Sequence, residues 1–249
     1  MLMDQYFEAM KGVLAKVETT QRDAIEKTAE EIARRLAEGA VWHLLDTGHM
    51  LMFEGVGRTG GMMAVRPIKI TCEIENPVRY RPGASSGAVG DDSISGFADY
   101  VIGRSSIVAG DIVMLGSVSG YNYFPVDLAL KTREMGCLTV ALTSVEYSSR
   151  LTSRHPSGKR LFEACEHVLD NCTNYGDTLV PVEELGQAIC PASGVSASYI
   201  MWALQSTVVE KLLAMGKKPG VYISNHRAQR RSTSVGWISM KRKGIDSPC

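Results

Sequence analysis

The N-terminal part of the chain alternates apolar and charged positions with the period of a helix. Apolar side chains recur at steps of three and four over residues 4–38, which predicts one long amphipathic helix or two consecutive ones. Gly39 supplies the stop signal for this segment. The apolar run at residues 40–45 then has the length of a strand, and we expect this first strand to end near Asp46.

The middle of the chain contains a strand, a turn, a helix and a second strand in close succession. Residues 112–115 form a short apolar run, residues 125–135 have a helical pattern, and residues 137–142 form another apolar run. This succession is typical of a βαβ unit, whose strands are parallel. Shorter patterns continue the alternation and predict helices at residues 50–56, 96–102, 159–166 and 196–215, and strands at residues 65–71, 167–170 and 221–224.

These elements predict an α/β protein with a single doubly wound parallel sheet behind a long N-terminal helical arm. The length of 249 residues suits one domain, which we divide into an arm at residues 1–39, a core at 40–224 and a basic tail at 225–249. The apolar stripe of so long an arm must pack on its own sheet or on another subunit. We therefore expect a homodimer or homotetramer with the long helices at the interface.

Charge and cysteine usage narrow the range of partners. The formal net charge is zero, so no overall field attracts nucleic acid or an anionic membrane. The six cysteines show no CxxC pair and no His/Cys ligand spacing, which predicts neither a disulfide framework nor a metal site. No apolar run reaches the length of a membrane span, and the N-terminus lacks the pattern of a secretion signal. We expect a cytoplasmic protein with reduced thiols.

A turn rich in Ser and Gly follows the predicted strand at residues 112–115. In doubly wound sheets the ligand binds beyond the carboxyl ends of the strands, so this turn lies where a ligand is expected. Gly120 allows a sharp backbone turn with exposed N–H groups, while Ser117 and Ser119 add hydroxyls and the following helix adds its positive end. Such a turn suits a phosphate or a similar anion. The same residues also suit a simple helix-capping turn.

Several stretches of the sequence resemble the sugar isomerase (SIS) domain family, in an uncharacterised branch similar to phosphoheptose isomerases. One is GDIVMLGSVSGYN at residues 110–122, followed by an amphipathic helix and GCLTVALTS at 136–144. The N-terminal residues 6–45 and the segment SRHPSGKRLFEACEHVLDN at 153–171 are also similar. The resemblance covers roughly residues 5–215. It implies a flavodoxin-like fold and a small anionic sugar, a phosphosugar, as ligand, with no metal and no organic cofactor.

The resemblance also implies which turns bind the ligand. Ser117, Ser119 and Asn122 match the family's anion-binding turn. Further matched positions lie in the turn after the first strand and in the turn after the strand at residues 137–142: Thr47, Gly48, His49, Thr143 and Ser144. The first of these turns departs from the family pattern, because Asp46 replaces a glycine and the turn is two residues shorter.

Isomerising an aldose to a ketose moves a proton between adjacent carbons through an enediol, which requires a base and an acid. Glu54 matches the glutamate of the family's GH…E…RxGG run, and is otherwise read as a solvated helix charge. His49 and His155 lie in turns at the predicted carboxyl edge and are the candidates for ring opening or proton relay. Arg58 either binds a substrate oxyanion or fixes a helix end.

The leading functional hypothesis is an aldose–ketose isomerase acting on a phosphorylated or similarly anionic sugar, for example a sulfonated one. Two alternatives use the same site: a non-catalytic phosphosugar sensor, which needs the anion turn but no base, and a sugar-phosphate lyase or amino-sugar deaminase. The presence of both Glu54 and His49 favours an enzyme. The basic tail at residues 225–249 is either a solvated segment or an additional contact for a more acidic sugar.

Overall fold

A five-stranded parallel sheet forms the centre of the computed structural model, which describes residues 1–48, 51–71 and 94–224. Its strands are β1 (Trp42–Asp46), β2 (Val65–Pro67), β3 (Ile112–Gly116), β4 (Leu138–Thr143) and β5 (His167–Asp170). They run side by side in the order β2-β1-β3-β4-β5, and all neighbouring pairs are parallel. This is a doubly wound order, so the α/β fold expected from the sequence is confirmed.

Helices cover both faces of the sheet. They are α1 (Leu2–Thr20), α2 (Arg22–Ala37), α3 (Leu51–Glu54), α4 (Phe97–Arg104), α5 (Tyr123–Glu134), α6 (Val145–Ser149), α7 (Leu161–Ala164) and α8 (Ser193–Ala214). One apolar cluster joins the sheet to α2 and α8, and a second joins its other face to α4, α5 and α7. Between β5 and α8 the chain forms a small antiparallel hairpin of β6 (Val180–Val182) and β7 (Gln187–Ile189).

The N-terminal arm is two helices, which meet at Gln21. The second of them, α2, buries side chains such as Ile32 in the core cluster that also holds Leu204 of α8. In contrast, the buried side chains of α1 are Met10 and Val17. The arm therefore packs on its own sheet through α2, whereas most of α1 lies on the surface.

The carboxyl ends of four strands meet at one edge of the sheet. Asp46 at the end of β1 pairs with Gly116 at the end of β3, and Gly116 pairs in turn with Leu142 of β4. Thr143, the last residue of β4, pairs with Asp170 at the end of β5. The turns that follow these residues therefore start from the same edge, where doubly wound proteins bind their ligands.

A buried polar cluster fixes the opposite ends of β1 and β3. The Asp111 carboxylate accepts the N–H groups of Val41 at 2.9 Å and Val108 at 3.0 Å, and it lies 3.2 Å from His43 Nε2. Burial opposes ionisation of Asp111, but the hydrogen bonds from His43 and from the two N–H groups outweigh it and hold the pKa of this carboxyl below its ordinary value. The cluster is structural, since it lies away from the carboxyl edge.

The structure corrects the sequence analysis at several short segments. Residues 221–224 do not form the predicted strand, because Val221 makes only an isolated antiparallel bridge with Met62. This segment is largely exposed and has no strand of the parallel sheet beside it. The hairpin of β6 and β7 and the helix α6 were not predicted, because strands of three residues and a helix of five carry too little periodicity.

Candidate functional site

A cavity of about 380 Å³ opens at the carboxyl edge of the sheet. Its walls come from the ends of β1, β3 and β4, from the segment after β5 and from the first turn of α8. This volume suits a small polar molecule. Among the described residues, the polar side chains in its wall belong to Asp46, Ser117, Asn171, Asp177 and Ser193.

The turn at residues 117–122 is held in place by its carbonyl groups. The carbonyl of Val118 accepts the N–H of Ser144 at 3.0 Å. The carbonyl of Gly120 accepts the N–H of Leu161, at the start of α7, at 2.7 Å. These two carbonyls are therefore engaged by neighbouring segments and are not available to a ligand.

Several donors of this turn have no acceptor in the part of the chain that the structure describes. The backbone N–H groups of Ser119 and Asn122 and the hydroxyls of Ser117 and Ser119 make no hydrogen bond there. Ser117 is only 4% exposed and also lines the cavity. Unpaired N–H and O–H donors beside the start of a helix, here α5, are the arrangement that binds phosphate and similar anions.

Asn122 is the residue that precedes α5, yet its side chain does not cap the helix. Its Oδ1 is buried and has no hydrogen-bond partner among the described residues. A buried amide without a partner costs stability unless a ligand or a water molecule supplies the missing bond. Asn122 is therefore available to a ligand held by the turn.

Gly120 gives the turn its sharp course. Its φ of +56° lies in the left-handed region, which side chains rarely adopt. A Cβ at this position would also lie 2.9 Å from Thr143 Oγ1 and 3.0 Å from Ser148 Oγ. Both the backbone angle and the lack of space therefore require glycine here.

The turn after β1 is partly described. The N–H of Thr47 donates to the Gly116 carbonyl at 2.9 Å, and its hydroxyl donates to the same carbonyl at 3.3 Å. Gly48 lines the cavity and donates its N–H to Asp46 Oδ1 at 3.0 Å. His49, which the sequence analysis proposed as a catalytic residue, lies outside the described residues. In this turn Gly48 reaches the cavity, whereas Thr47 fastens the turn to β3.

Glu54 and Arg58 bind each other. Arg58 Nε lies 3.2 Å from Glu54 Oε2, and the two side chains are 58% and 36% exposed, respectively. Neither residue belongs to the wall of the cavity. Glu54, the candidate base, therefore lies in a surface ion pair. It is one helical turn after Leu51, which lines the cavity.

Ser144 is committed to helix capping. Its hydroxyl accepts the N–H of Tyr147 at 3.0 Å and donates to the carbonyl of Thr173 at 2.7 Å. The residue is fully buried and does not line the cavity. The hydroxyl of Ser144 therefore already donates its hydrogen bond within the protein. The residue affects the site by fixing the turn after β4.

His155 packs beside the turn at residues 117–122 without lining the cavity. The N–H of Arg154 donates to the Tyr121 carbonyl at 2.9 Å, which brings the segment against the turn. The His155 ring then packs on the ring of Tyr123, with 4.8 Å between centroids. His155 Nε2 lies 3.5 Å from Asp127 Oδ1, so a carboxylate orients this histidine.

Sequence analysis missed the residues that the segment between β5 and α8 contributes. Asp177 accepts the N–H groups of Ala192 at 3.1 Å and Ser193 at 2.9 Å, and the hydroxyl of Ser193 at 2.6 Å, so it caps α8. Asn171 directly follows β5 and is 1% exposed. Asn171 could have been found from its position, because it directly follows a predicted strand at the carboxyl edge. Asp177 could not, because no local pattern links it to the start of α8, which lies much later in the chain.

A metal site needs several His, Cys, Asp or Glu side chains within reach of one ion. Residues 1–48, 51–71 and 94–224 contain no group of three or more such side chains that could hold a metal. A membrane-spanning helix needs roughly 20 mostly apolar residues. No helix within these same ranges is long and apolar enough to cross a bilayer.

The sheet order and the Ser/Gly turn after β3 define a flavodoxin-like α/β domain whose candidate ligand site lies at the carboxyl edge. The chain belongs to the SIS domain family, whose model matches residues 5–144. The resemblance drawn from residues 110–122 is thereby confirmed. A UPF0309 protein from Streptomyces griseus is 31% identical over 220 residues, 88% of this chain and 86% of that protein. A UPF0309 protein from Geobacillus thermodenitrificans is 29% identical over 246 residues, 98% of this chain and 96% of that one.

The fold is shared with a solved structure. The crystal structure of a candidate phosphosugar isomerase from Silicibacter pomeroyi DSS-3 has a TM-score of 0.51 and 14% sequence identity, and the match covers 86% of this chain and 53% of that one. This chain thus spans about half of the Silicibacter protein. The structure of a phosphoheptose isomerase from Francisella tularensis has a TM-score of 0.49 at 12% identity. At such identities the likeness describes the fold alone.

Proposed function

We propose that this protein binds a sugar that carries a terminal phosphate or a similar anion, and that it interconverts the aldose and ketose forms through an enediol. The turn at residues 117–122 supports the ligand class. The carbonyls of Val118 and Gly120 bond to neighbouring segments, while the N–H groups of Ser119 and Asn122 and the hydroxyls of Ser117 and Ser119 are left without acceptors in the described part of the chain. An anion would satisfy these donors without a lysine.

A phosphosugar ligand also agrees with the description of a solved protein that shares this fold. The Silicibacter protein is described as a candidate phosphosugar isomerase, and the chain shares its fold. Fold alone does not determine a reaction, because one fold serves many functions. The proposal for the ligand therefore rests on the donors of the turn.

The proposed reaction needs a base that removes a proton from the sugar carbon and an acid that serves its oxygens. Glu54, His49 and His155 remain our candidates for these roles. Glu54 would have to leave its partner Arg58 to meet the substrate, and then Arg58 would be free to bind a substrate oxygen. His155 needs no such change to stay beside the turn, since Tyr123 and Asp127 already hold it there.

A second candidate function is a sensor that binds the phosphosugar without converting it. The observation in its favour is the Glu54–Arg58 ion pair outside the cavity wall, which leaves the proposed base engaged elsewhere. A sensor requires the anion turn and no base. Measurements of binding and of proton exchange separate the two functions.

Binding is tested by isothermal titration of the protein with inorganic phosphate and with glucose 6-phosphate. We expect both to bind, and the Ser117→Ala/Ser119→Ala variant to lose at least about tenfold in affinity, since each lost hydrogen bond to a charged group contributes roughly 1.5–3 kcal/mol. Ser206→Ala, which changes an exposed serine of α8, is the matched control and should bind like the wild type. Equal affinity in all three proteins would remove the turn from the site.

Catalysis is tested by incubating the bound sugar phosphate in deuterated water and following the label by mass spectrometry. Enediol chemistry exchanges the hydrogen on C1 or C2 even before net conversion. If Glu54 is the base, Glu54→Gln should slow exchange about a hundredfold or more with little change in affinity. Glu210→Gln, at another exposed helix position, is the control. A wild-type protein that binds the sugar and incorporates no deuterium would be a sensor.

We further propose that residues 1–249 act as one SIS unit, as a cytoplasmic homodimer or homotetramer. Support for assembly comes from α1, where Leu2, Met3 and Phe7 are about half exposed although they are apolar. Light scattering of the purified protein tests the assembly directly. A single monomeric species at micromolar concentration would contradict it.

A further inference from the structure

A groove of about 610 Å³ lies between α2 and α8, with the last turn of α1 in its wall. Among the described residues, it shares no lining residue with the cavity at the carboxyl edge of the sheet. Val17 and Ile25 line the groove and are buried, and the partly buried Trp202 and Ala203 of α8 add further apolar surface. The floor of the groove is therefore apolar.

Exposed charged side chains surround this apolar floor. Glu18 accepts a hydrogen bond from the Tyr199 hydroxyl at 2.5 Å, which fastens the end of α1 to α8. Arg22 and Glu26 also line the groove, and their side chains make no hydrogen bond or ion pair in the part of the chain that the structure describes. An apolar floor, aromatic side chains and a charged rim are typical of a protein interface, and grooves of this kind bind amphipathic helices.

The first helix carries an apolar stripe that its own chain covers only in part. Met3, Phe7, Met10, Leu14 and Val17 follow one another at steps of four and three, so they share one side of α1. Met10 and Val17 are buried, whereas Met3 and Phe7 are 53% and 51% exposed. The stripe thus continues beyond the part of the domain that covers it.

The exposed start of α1 cannot occupy the groove of its own chain. Phe7 and Val17 belong to the same helix, Leu2–Thr20, and lie roughly 15 Å apart along its axis at the helical rise of about 1.5 Å per residue. Val17 is already part of the groove wall. An apolar stripe and an apolar groove that cannot meet within one chain can meet between two copies of it.

We propose that the groove between α2 and α8 binds the first two turns of α1 from a second copy of this chain, with Phe7 buried on the apolar floor. The inference deepens the assembly that forms part of the proposed function, since it assigns the surface through which two copies meet. A two-fold axis makes the contact reciprocal, so each copy supplies one helix end and one groove. Both exposed apolar surfaces are then covered at once.

The charges beside Phe7 complement those of the groove. Glu8 and Lys11 pair with each other at 2.7 Å, but their side chains are 73% and 71% exposed, so this pair contributes little and can be exchanged for another. Arg22 and Glu26 lie one helical turn apart on α2 with the opposite order of charge. A second α1 that runs parallel to α2 therefore sets Glu8 against Arg22 and Lys11 against Glu26.

The first test removes the apolar contact. Phe7→Glu should weaken assembly at least about a hundredfold, because both reciprocal grooves lose a buried aromatic side chain. Light scattering over a dilution series should then show half the mass of the wild-type assembly at the same concentration. Tyr100→Glu is the matched control, since Tyr100 is an exposed aromatic residue of α4 on the other face of the sheet, and it should keep the wild-type mass. Both side chains are exposed in the single chain, so both variants should fold, which circular dichroism verifies.

The second test reverses charges and does not depend on the apolar contact. Arg22→Glu and Glu8→Arg each set like charges against each other at both contacts of a homodimer, and each should weaken assembly roughly tenfold. In a mixed dimer of the two variants, each contact again joins opposite charges. The mixture should therefore assemble as tightly as the wild type, and native mass spectrometry identifies the mixed species. A general loss of stability in either variant would not produce this recovery.

The outcomes separate this inference from the proposed function. A wild type that assembles no better than Phe7→Glu, or charge variants that do not recover on mixing, would overturn the inference and leave the proposed assembly to another surface. A wild type with the mass of one chain at micromolar concentration would overturn both the inference and the proposed assembly, and the groove would then belong to a partner of another kind. The proposed phosphosugar binding is measured separately, by titration of the same proteins with inorganic phosphate.

Discussion

The Asp46 carboxylate occupies the space into which a side chain at Gly116 would project. A Cβ on Gly116 would lie 2.6 Å from Asp46 Oδ1 and 3.1 Å from Leu51 Cδ1. The two residues are neighbours because β1 and β3 pair Asp46 with Gly116 in register. The aspartate at the end of β1 therefore requires a residue without a side chain at the end of β3.

This relationship predicts the effect of Gly116→Ala. The added methyl group must displace the Asp46 carboxylate, and overpacking of this kind lowers the free energy of unfolding by about 1–3 kcal/mol. Asp46→Ala opens the space but removes the acceptor for two N–H groups. In urea denaturation the double variant should therefore be more stable than the sum of the single effects predicts. Strictly additive effects would mean that the two residues do not compete for space.

Gly120→Ala should remove the response to phosphate and lower stability, because it combines a left-handed φ with contacts of 2.9 and 3.0 Å to two buried hydroxyls. Gly103 in α4 is the matched control, since a Cβ there meets nothing within 4 Å and no left-handed φ is involved. Gly103→Ala should raise the free energy of unfolding by up to about 1 kcal/mol. Thermal denaturation with and without phosphate measures both effects. Equal behaviour of the two variants would contradict the constraint on Gly120.

Two serines of the α6 region should respond differently to loss of their hydroxyls. Ser144→Ala removes the bonds to Tyr147 and Thr173 and should cost about 1–2 kcal/mol of stability. Ser148 is as buried, but its hydroxyl has no partner among the described residues. Ser148→Ala should therefore be neutral or stabilising in the same denaturation experiment, since an unpaired buried hydroxyl is costly. A larger loss for Ser148→Ala would indicate a bond that the structure does not contain.

Asp111 predicts a defined dependence of stability on pH. Hydrogen bonds from His43, Val41 and Val108 outweigh burial and lower the pKa of this carboxyl in the folded protein. Its contribution is then fully present above the unfolded aspartate pKa of about 3.9 and is lost as the pH falls through the lowered folded value. Asp111→Asn should destabilise the protein near neutral pH, and the difference from the wild type should shrink in this acid range. A difference that stays constant with pH would exclude this ionisation.

Local sequence determined much of this protein. The helical period of residues 196–215 and the apolar run at 112–115 correspond to α8 and β3, because amphipathic patterns are set by short-range spacing. The βαβ succession then restricted the possible topologies of the sheet to a few, because such crossovers are right-handed and the strands they connect are parallel. The turn at residues 117–122, which we propose binds the anion, was located from the sequence because its glycine and its position after a buried strand are both local features.

Tertiary structure decided which side chains can meet a ligand. Asn171 and Asp177 join Ser117 in one cavity only because β5 and α8 bring distant segments to the edge of the sheet. Glu54 is a carboxylate in a motif that resembles the family's, yet it pairs with Arg58 outside the cavity wall. Whether a polar group is free or bonded depends on the three-dimensional positions of all its neighbours, and periodicity along the chain carries no record of these contacts between distant residues.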